Sequence, residues 1–375
     1  MYQLKSIGTA KAKPGAIQYG RIEALDHPTG HKEFFPVIIA QGKTDGPCLW
    51  LTAGIHGPEQ VGPTVLYKLI NQDLIEKLRG TIIAIPALSP AGLRTMLREP
   101  YHDNTDPNRL WPEIKPKSKD DPDEDPPSSL ELAYRRLFGM IAESADCMID
   151  YHAAWTGSLS FAFRDRIAYR PGSDEDREIE EAQELSTRQN ELLKAYGHTI
   201  ILEMPLEKLI KEDLHRSSTG AILFLTKIPA FTVELGTGYV PDLAIVKASM
   251  AGTRNVMRKL GMLDSDFEPI QGIQVIDLGF PVRRCSTPRV KKACVVLHRV
   301  EAGDIIKAGD VVAEIRDIWG RPIGDGYLYS EYDGFIIGRQ HGIYFYPGAP
   351  VFAMAIPNSD PLIVPYPKDY LEKVS

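Results

Sequence analysis

The sequence predicts an α/β protein, a mainly parallel mixed sheet with helices on both faces, followed by an all-β unit. Two observations carry this. Between Pro47 and about Leu260, short apolar runs alternate with longer stretches of helical periodicity, the pattern of a sheet covered by helices. From about Glu268 the helical periodicity stops, and glycines recur between short β runs such as VVLHRV, GFIIGRQ and APVFAMAI. The 375 residues then divide into a larger unit, 1–265, and a β unit, 266–375.

The elements follow in order. Residues 1–46 are punctuated by Gly and Pro and alternate as a strand does over Phe34–Ala40. Strands are expected at 47–53, 80–85, 146–151, 199–203 and 228–234, and helices at 58–78, 128–144, 174–196 and 242–260. Ser128 and Glu131 have the spacing of a capping box, in which each side chain satisfies the other's backbone N–H. Gly197 and Gly261 stand where a helix ends on a left-handed residue. Residues 113–127, EIKPKSKDDPDEDPP, are Pro-rich and acidic and read as a solvated surface loop. The charges of 173–191 read as the exposed face of a helix.

Composition excludes several classes. A formal net charge of -7 argues against a nucleic-acid partner, which needs a basic face. No apolar run reaches about 18 residues, so neither a membrane-spanning helix nor a membrane partner is expected. The first twenty residues lack the apolar core of a secretory signal. Cys48, Cys147, Cys285 and Cys294 form no C-x-x-C pair, and the first two lie in apolar strand runs. They read as small buried hydrophobes in a reducing cytoplasm.

The chemistry concentrates at strand ends. One strand runs into Gly54-Ile55-His56-Gly57-Pro58-Glu59, another ends Asp150-Tyr151-His152, and a third ends Val233-Glu234-Leu235-Gly236. Ligands of open α/β sheets bind beyond the carboxyl ends of the strands, which would bring these residues together. Gly57 allows a sharp turn and Pro58 suits the first helical position, leaving Glu59 in the first turn of the helix, pointing back at His56. His56, Glu59 and His152 then form a His-Glu-His set, a catalytic zinc arrangement whose fourth position stays open for water. Asp150, on the same face as His152, could accept a hydrogen bond from a ligand imidazole. A surface His beside a helix-start Glu, or a His as a plain strand terminus, accounts for each piece separately. Glu234 is harder to explain that way, because it follows an apolar run where an unpaired carboxylate is costly. Asn108 and Arg109, in Asp106-Pro107-Asn108-Arg109-Leu110-Trp111-Pro112, offer an amide and a guanidinium fork suited to a substrate carboxylate. Arg94 and Arg98 lie in the same stretch, and pairing with the acidic loop is the plain alternative for all these arginines.

At these residues a resemblance appears. G-I-H-G-P-E, D-P-N-R-L-W-P, D-Y-H and V-E-L-G, in this order over roughly residues 30–260, resemble the succinylglutamate desuccinylase/aspartoacylase family, which has a zinc carboxypeptidase-like fold. The resemblance implies one zinc per chain on His56, Glu59 and His152, and Glu234 as general base and acid. It implies that Asn108 and Arg109 grip the substrate carboxylate. The family also has an Asn-Pro dipeptide with an arginine nine residues on that polarises the scissile carbonyl. Here Ser89-Pro90 stands at the dipeptide, and Arg98 has the arginine's spacing. The family's Asp-Leu-Asn-Arg is Asp-Pro-Asn-Arg here.

Residues 1–265 would thus be a zinc hydrolase domain. Residues 266–375, with E-A-G-D-I-I-K-A-G-D-V-V-A-E-I-R-D, resemble the barrel-sandwich fold of lipoyl and biotinyl carriers but lack their hairpin lysine. They read as a β unit that caps or shapes the site. The expected activity is hydrolysis of the amide of an N-acylated, carboxylate-bearing small molecule, in a chain compatible with a homo-oligomer. Two alternatives stand beside it: a metallocarboxypeptidase acting on short peptides, and a non-catalytic metal- or ligand-binding protein. Trp155 and the stretch 214–220, with His215 and Arg216, are further candidates for the pocket, with ordinary structural roles favoured.

Overall fold

A computed structural model of the chain describes residues 6–114, 125–154, 156–368, 370 and 371. Trp155 and residues 115–124 of the acidic loop lie outside them. Among the described residues, twelve strands form one sheet. In spatial order they are Ile305–Ile306, Gly334–Arg339, Phe352–Pro357, Val282–Ser286, Thr199–Leu202, Ser160–Arg164, Ala230–Thr237, Cys147–Ala154, Thr44–Ala53, Arg79–Ile85, Lys32–Gln41 and Ala16–Asp26.

The five strands expected between 47 and 234 are all present, each within three residues of its expected bounds. Across residues 44–237 the sheet is mainly parallel, as expected, and it becomes mixed where residues 16–41 and the strands past 265 join it. Thr44–Ala53 is parallel to both its neighbours, and Cys147–Ala154 is parallel to Ala230–Thr237. Both flanks turn antiparallel, and antiparallel pairings outnumber parallel ones six to five. For one of these pairings the cause is local. Ala16–Asp26 and Lys32–Gln41 are joined by a tight turn in which His27 N–H donates to His31 C=O at 2.8 Å, and short connections impose antiparallel pairing.

Helices cover both faces, and the period of two in the central strands decides which residue faces which layer. Leu49, Leu51, Cys147, Ile149, Phe231 and Val233 pack under Val61–Leu69, Glu175–Tyr196 and Leu243–Lys259. Trp50, Met148, Ile83 and Ile85 pack under Ser129–Ser144 and Ser218–Thr226. Each such side chain contributes about 1.5–3 kcal/mol on burial. Cys48, Cys147, Cys285 and Cys294 are free, and burial pushes the Cys48 and Cys147 thiols up to about 12, as fits inert packing.

Ser128 and Glu131 form the capping box, with Ser128 N–H donating to Glu131 Oε2 at 2.7 Å and Glu131 N–H to Ser128 Oγ at 3.2 Å. Gly197 ends its helix at φ +80°. The helix expected over 58–78 is two helices, Val61–Leu69 and Gln72–Lys77. Asn71 divides them, its side chain accepting from Leu74 N–H at 3.0 Å as a new N-cap. Pro58 and Glu59 are therefore not in a helix but in the turn that precedes one.

The C-terminal β region contributes to two sheets. Val282–Ser286 pairs in parallel with Thr199–Leu202, so the large sheet continues past residue 265. Cys294–His298, Val311–Arg316, Pro322–Tyr329 and Tyr344–Phe345 form a four-stranded sheet. Val296, Val312 and Ala313 of that sheet pack against Ile336, Phe352 and Met354 of the large one, giving two layers with a core of their own.

Candidate metal centre and substrate cleft

Three neighbouring parallel strands deliver the site. Their register pairs Thr52 with Asp150 and His152 with Glu234, so the side chains they carry share one end of the sheet. Gly54 leaves the first strand at φ +68°. At Gly57 the need is close approach: a Cβ there would sit 2.1 Å from Gly92 C=O, while Gly57 N–H donates to Leu97 C=O at 3.0 Å. That contact clamps the His56–Glu59 turn against the segment carrying Arg98.

His56, Glu59 and His152 are buried, and each presents a ligand atom within 4.8 Å of the other two. This donor set could hold a metal ion. Glu59 bridges the two imidazoles, Oε1 lying 2.7 Å from His56 Nδ1 and Oε2 2.9 Å from His152 Nδ1. The outer nitrogens also meet carboxylates: His56 Nε2 is 3.0 Å from Asp106 Oδ1, and His152 Nε2 is 2.9 Å from Asp150 Oδ2. Burial alone would push His152 down, yet Asp150 and Glu59 hold it well above its ordinary value, and His56 is raised in the same way by Glu59 and Asp106. Burial alone would raise Glu59, but the two imidazoles hold its carboxyl well below the usual range. With carboxylates at both nitrogens, each ring is suited to carry two protons, one of which a bound metal would displace while the other stays directed at the outer carboxylate.

Asp150 is fully buried and takes further hydrogen bonds from Thr52 Oγ1, at 2.7 Å, and from Ser218 Oγ. Asp106 plays the matching part for His56, a role the sequence reading did not give it. Arg98 Nη2 donates to Asp106 Oδ2 at 2.7 Å, and its Nη1 lies 3.9 Å from Glu59 Oε1. Asn108 and Arg109 line the cleft, but each is also tied to the frame. Asn108 Oδ1 accepts from Ser218 N–H at 2.9 Å, and Arg109 Nε donates to Glu212 C=O at 2.9 Å. Arg94 pairs with Glu33 at 2.8 Å. Ser89 is buried and caps the helix Pro90–Thr95 through Gly92 N–H, so the side chain at that dipeptide is occupied in structure.

Glu234 stands in the same cleft, and its Oε2 is buried without a hydrogen-bond partner among the described residues. Burial, with Glu59 adding, raises its carboxyl to about 7 against the pull of His152, Arg284 and His56.

The cleft is a cavity of about 540 Å³. Sequence reasoning missed much of its wall. Phe163, Asp165 and Glu203 come from the large unit, and Arg284, Gln340 and His341 from the C-terminal β region. Arg284 holds Glu203 bidentately at 2.9 and 3.0 Å and stacks over Phe163, 5.3 Å from the ring centroid. The stretch 214–220 does reach the cavity, but through Leu214, Ser217 and Thr219. Arg216 instead binds Glu131 at 2.6 Å, and His215 packs against Tyr370.

The chain is similar to N-alpha-acetyl-L-2,4-diaminobutyric acid deacetylase of Halomonas elongata, 22% identical over 338 residues covering 88% of this chain and 89% of the relative. A crystal structure of a succinylglutamate desuccinylase/aspartoacylase from Rhodobacter sphaeroides superposes with a TM-score of 0.69 at 18% identity, over 92% of this chain and 96% of the other. The product-bound ectoine utilization protein EutE of Ruegeria pomeroyi gives 0.67 at 16% identity, over 91% and 94%. These two likenesses establish a shared mixed α/β fold. Residues 45–260, more than half the chain and the stretch that carries His56, Glu59, His152 and Glu234, match the succinylglutamate desuccinylase/aspartoacylase catalytic domain, and the protein belongs to that family.

Proposed function

We propose that the protein is a zinc-dependent deacylase that hydrolyses the amide of an N-acylated, carboxylate-bearing small molecule such as an N-acyl amino acid. The observation that carries the reading is one cleft holding both the His56–Glu59–His152 cluster and a carboxylate, Glu234, whose buried Oε2 has no hydrogen-bond partner among the described residues. Binding a metal needs the first; moving a proton needs the second. Zinc, one ion per chain, suits a His-Glu-His set with an open position, and when bound it would supply Lewis acidity toward the acyl carbonyl and acidify water.

The chain's own groups would do the rest. Glu234 takes a proton from the attacking water as its oxygen bonds to the acyl carbon. It returns that proton to the amine as the C–N bond breaks. A carboxyl near neutrality in a partly dry site suits both halves of that exchange. Arg98, beside Glu59, would stabilise the developing charge on the carbonyl oxygen. Asn108 and Arg109 would hold the substrate carboxylate, and Asp150 would fix the orientation of His152.

In this reading the fold is zinc carboxypeptidase-like, residues 1–265 are the catalytic domain, and 266–375 cap it. Arg284, Gln340 and His341 in the cleft wall support the capping role and favour small substrates over peptides. The Halomonas elongata relative is named for removing an acetyl group from an amino acid, which supports the reaction class. Free cysteines, and the absence among the described residues of any helix long and apolar enough to cross a membrane, accord with a cytoplasmic setting.

The test is a hydrolysis screen of zinc-loaded protein against N-acetyl, N-succinyl and N-formyl amino acids, with dipeptides included. Turnover of at least one N-acyl amino acid, faster than of any dipeptide, is expected. Dipeptide cleavage alone would favour the carboxypeptidase reading, and binding without turnover of any compound would favour a non-catalytic protein.

A further inference from the structure

The cavity extends well beyond the reacting groups. Register pairs Glu234 with Phe161, and the period of two puts Phe163 on the same sheet face as Glu234 and Thr232. Asp165 follows two residues on, and all of these except Phe161 line the cavity. Asp165 lies four residue steps beyond Phe161, just past the strand's end, a distance of about 13 Å along the chain direction that the reach of both carboxyl side chains shortens. A substrate's remote end would lie there.

The charges on that wall are unevenly matched. Glu203 is answered by Arg284 in a bidentate pair, and Met204 N–H also donates to it at 2.9 Å. At Asp165 one oxygen lacks such an answer. Its Oδ2 is buried, without a hydrogen-bond partner among the described residues. Burial, with the charge of Glu203 adding and Arg284 opposing, pushes its carboxyl up to about 7. A buried carboxylate oxygen left without a donor costs free energy unless something else supplies one. Close by, Arg109 is lowered by burial and by the charges of Arg98 and Arg284, so one stretch of cleft combines a cationic corner with an anionic one.

We propose that Asp165 reads a free amine on the substrate, so that the preferred class is N-acylated amino acids carrying a second, unacylated amino group. The acyl amide meets Glu234 and the metal cluster, the carboxylate meets Arg109, and the spare ammonium donates to Asp165. This rests on the deacylase reading for the identity of the scissile bond, but the amine contact itself is a matter of binding. The name of the Halomonas elongata relative, whose substrate has such a second amine, agrees with it independently.

The experiment compares matched pairs that differ only in an ammonium or a methyl group. Nα-acetyl-2,4-diaminobutyrate is set against Nα-acetylnorvaline, and Nα-acetylornithine against Nα-acetylnorleucine, for kcat/KM. The deacylated compounds are compared by calorimetric titration. All are run on zinc-loaded wild type, Asp165→Asn and Asp165→Glu, with thermal melts to establish that each variant is folded. Wild type should favour the amine member of at least one pair by about 10- to 100-fold, the worth of a charged hydrogen bond. Asp165→Asn should bring that ratio close to one, and Asp165→Glu should recover part of it. A wild type with no preference, or a preference that Asp165→Asn leaves intact, would overturn the assignment. Amine-selective binding that depends on Asp165 but comes without turnover would remove the deacylase reading and leave Asp165 as the amine reader.

Discussion

In the His56–Glu59–His152 cluster every imidazole nitrogen has a carboxylate oxygen within 3.0 Å, whereas in the same cleft Glu234 Oε2 and Asp165 Oδ2 are buried with no hydrogen-bond partner among the described residues. The difference lies in what each region waits for. Around the imidazoles, Glu59, Asp106 and Asp150 gather negative charge in a buried space and raise both rings, a setting that could hold a cation. Along the wall Arg284 satisfies Glu203, while one carboxylate oxygen each of Glu234 and Asp165 is left unpaired among the described residues. One region is complete without its ligand and the other is not.

That contrast can be broken from the metal side. His152→Ala removes a ligand and leaves Asp150 and Glu59 facing an unanswered space. Elemental analysis should fall from about one zinc per chain to near zero, with the fold retained. Stoichiometric zinc in the variant would mean that the cluster is not the metal site.

A smaller effect is expected at the substrate clamp. Arg109→Ala should cost about 2–4 kcal/mol in kcat/KM for a carboxylate substrate. Arg109 also ties Glu212 C=O to the loop, so loss of activity alone could be structural. Methyl esterification of the substrate separates the two. It should cost the wild type heavily and the variant little, whereas equal penalties would make Arg109 a strut.

Smaller still is Asp106→Asn. The amide can no longer balance the His56 ring, so zinc affinity should weaken by about 10- to 100-fold, read by competition with a chelator. An unchanged affinity would confine the role of Asp106 to holding Arg98.

The two regions also differed in how much the sequence disclosed. The meeting of His56, Glu59 and His152 was legible because each stands at the end of a strongly apolar parallel strand, and such ends share one edge. Asp106 was in plain view in Asp-Pro-Asn-Arg, but nothing in that run says that its carboxylate turns to His56. The arrangement of the Arg284 wall was not readable. Arg284 comes from a β region with no motif around it, and Asp165 follows a strand, Ser160–Arg164, whose mixed composition concealed it. The break at Asn71 did carry a signal, an N-cap residue inside a helical pattern, which apolar periodicity outweighed. The mixed character of the sheet comes only in part from a short connection, the turn between Ala16–Asp26 and Lys32–Gln41; its other antiparallel pairings join distant segments, which periodicity does not report.

The central claim is that Glu234 moves the proton while the cluster holds the metal, and Glu234→Gln tests it most directly. Without metal the carboxyl sits at about 7, raised by burial, and the charge of a bound divalent ion would lower it. A base works only when deprotonated, so wild-type activity should fall as pH drops through a value at or below about 7. The Gln variant keeps the shape but not the basicity. It should bind zinc and substrate normally, turn over about 10²–10⁴-fold more slowly, and lose the acidic limb of the pH–rate profile. A variant with near-normal kcat and the same acidic limb would contradict the account.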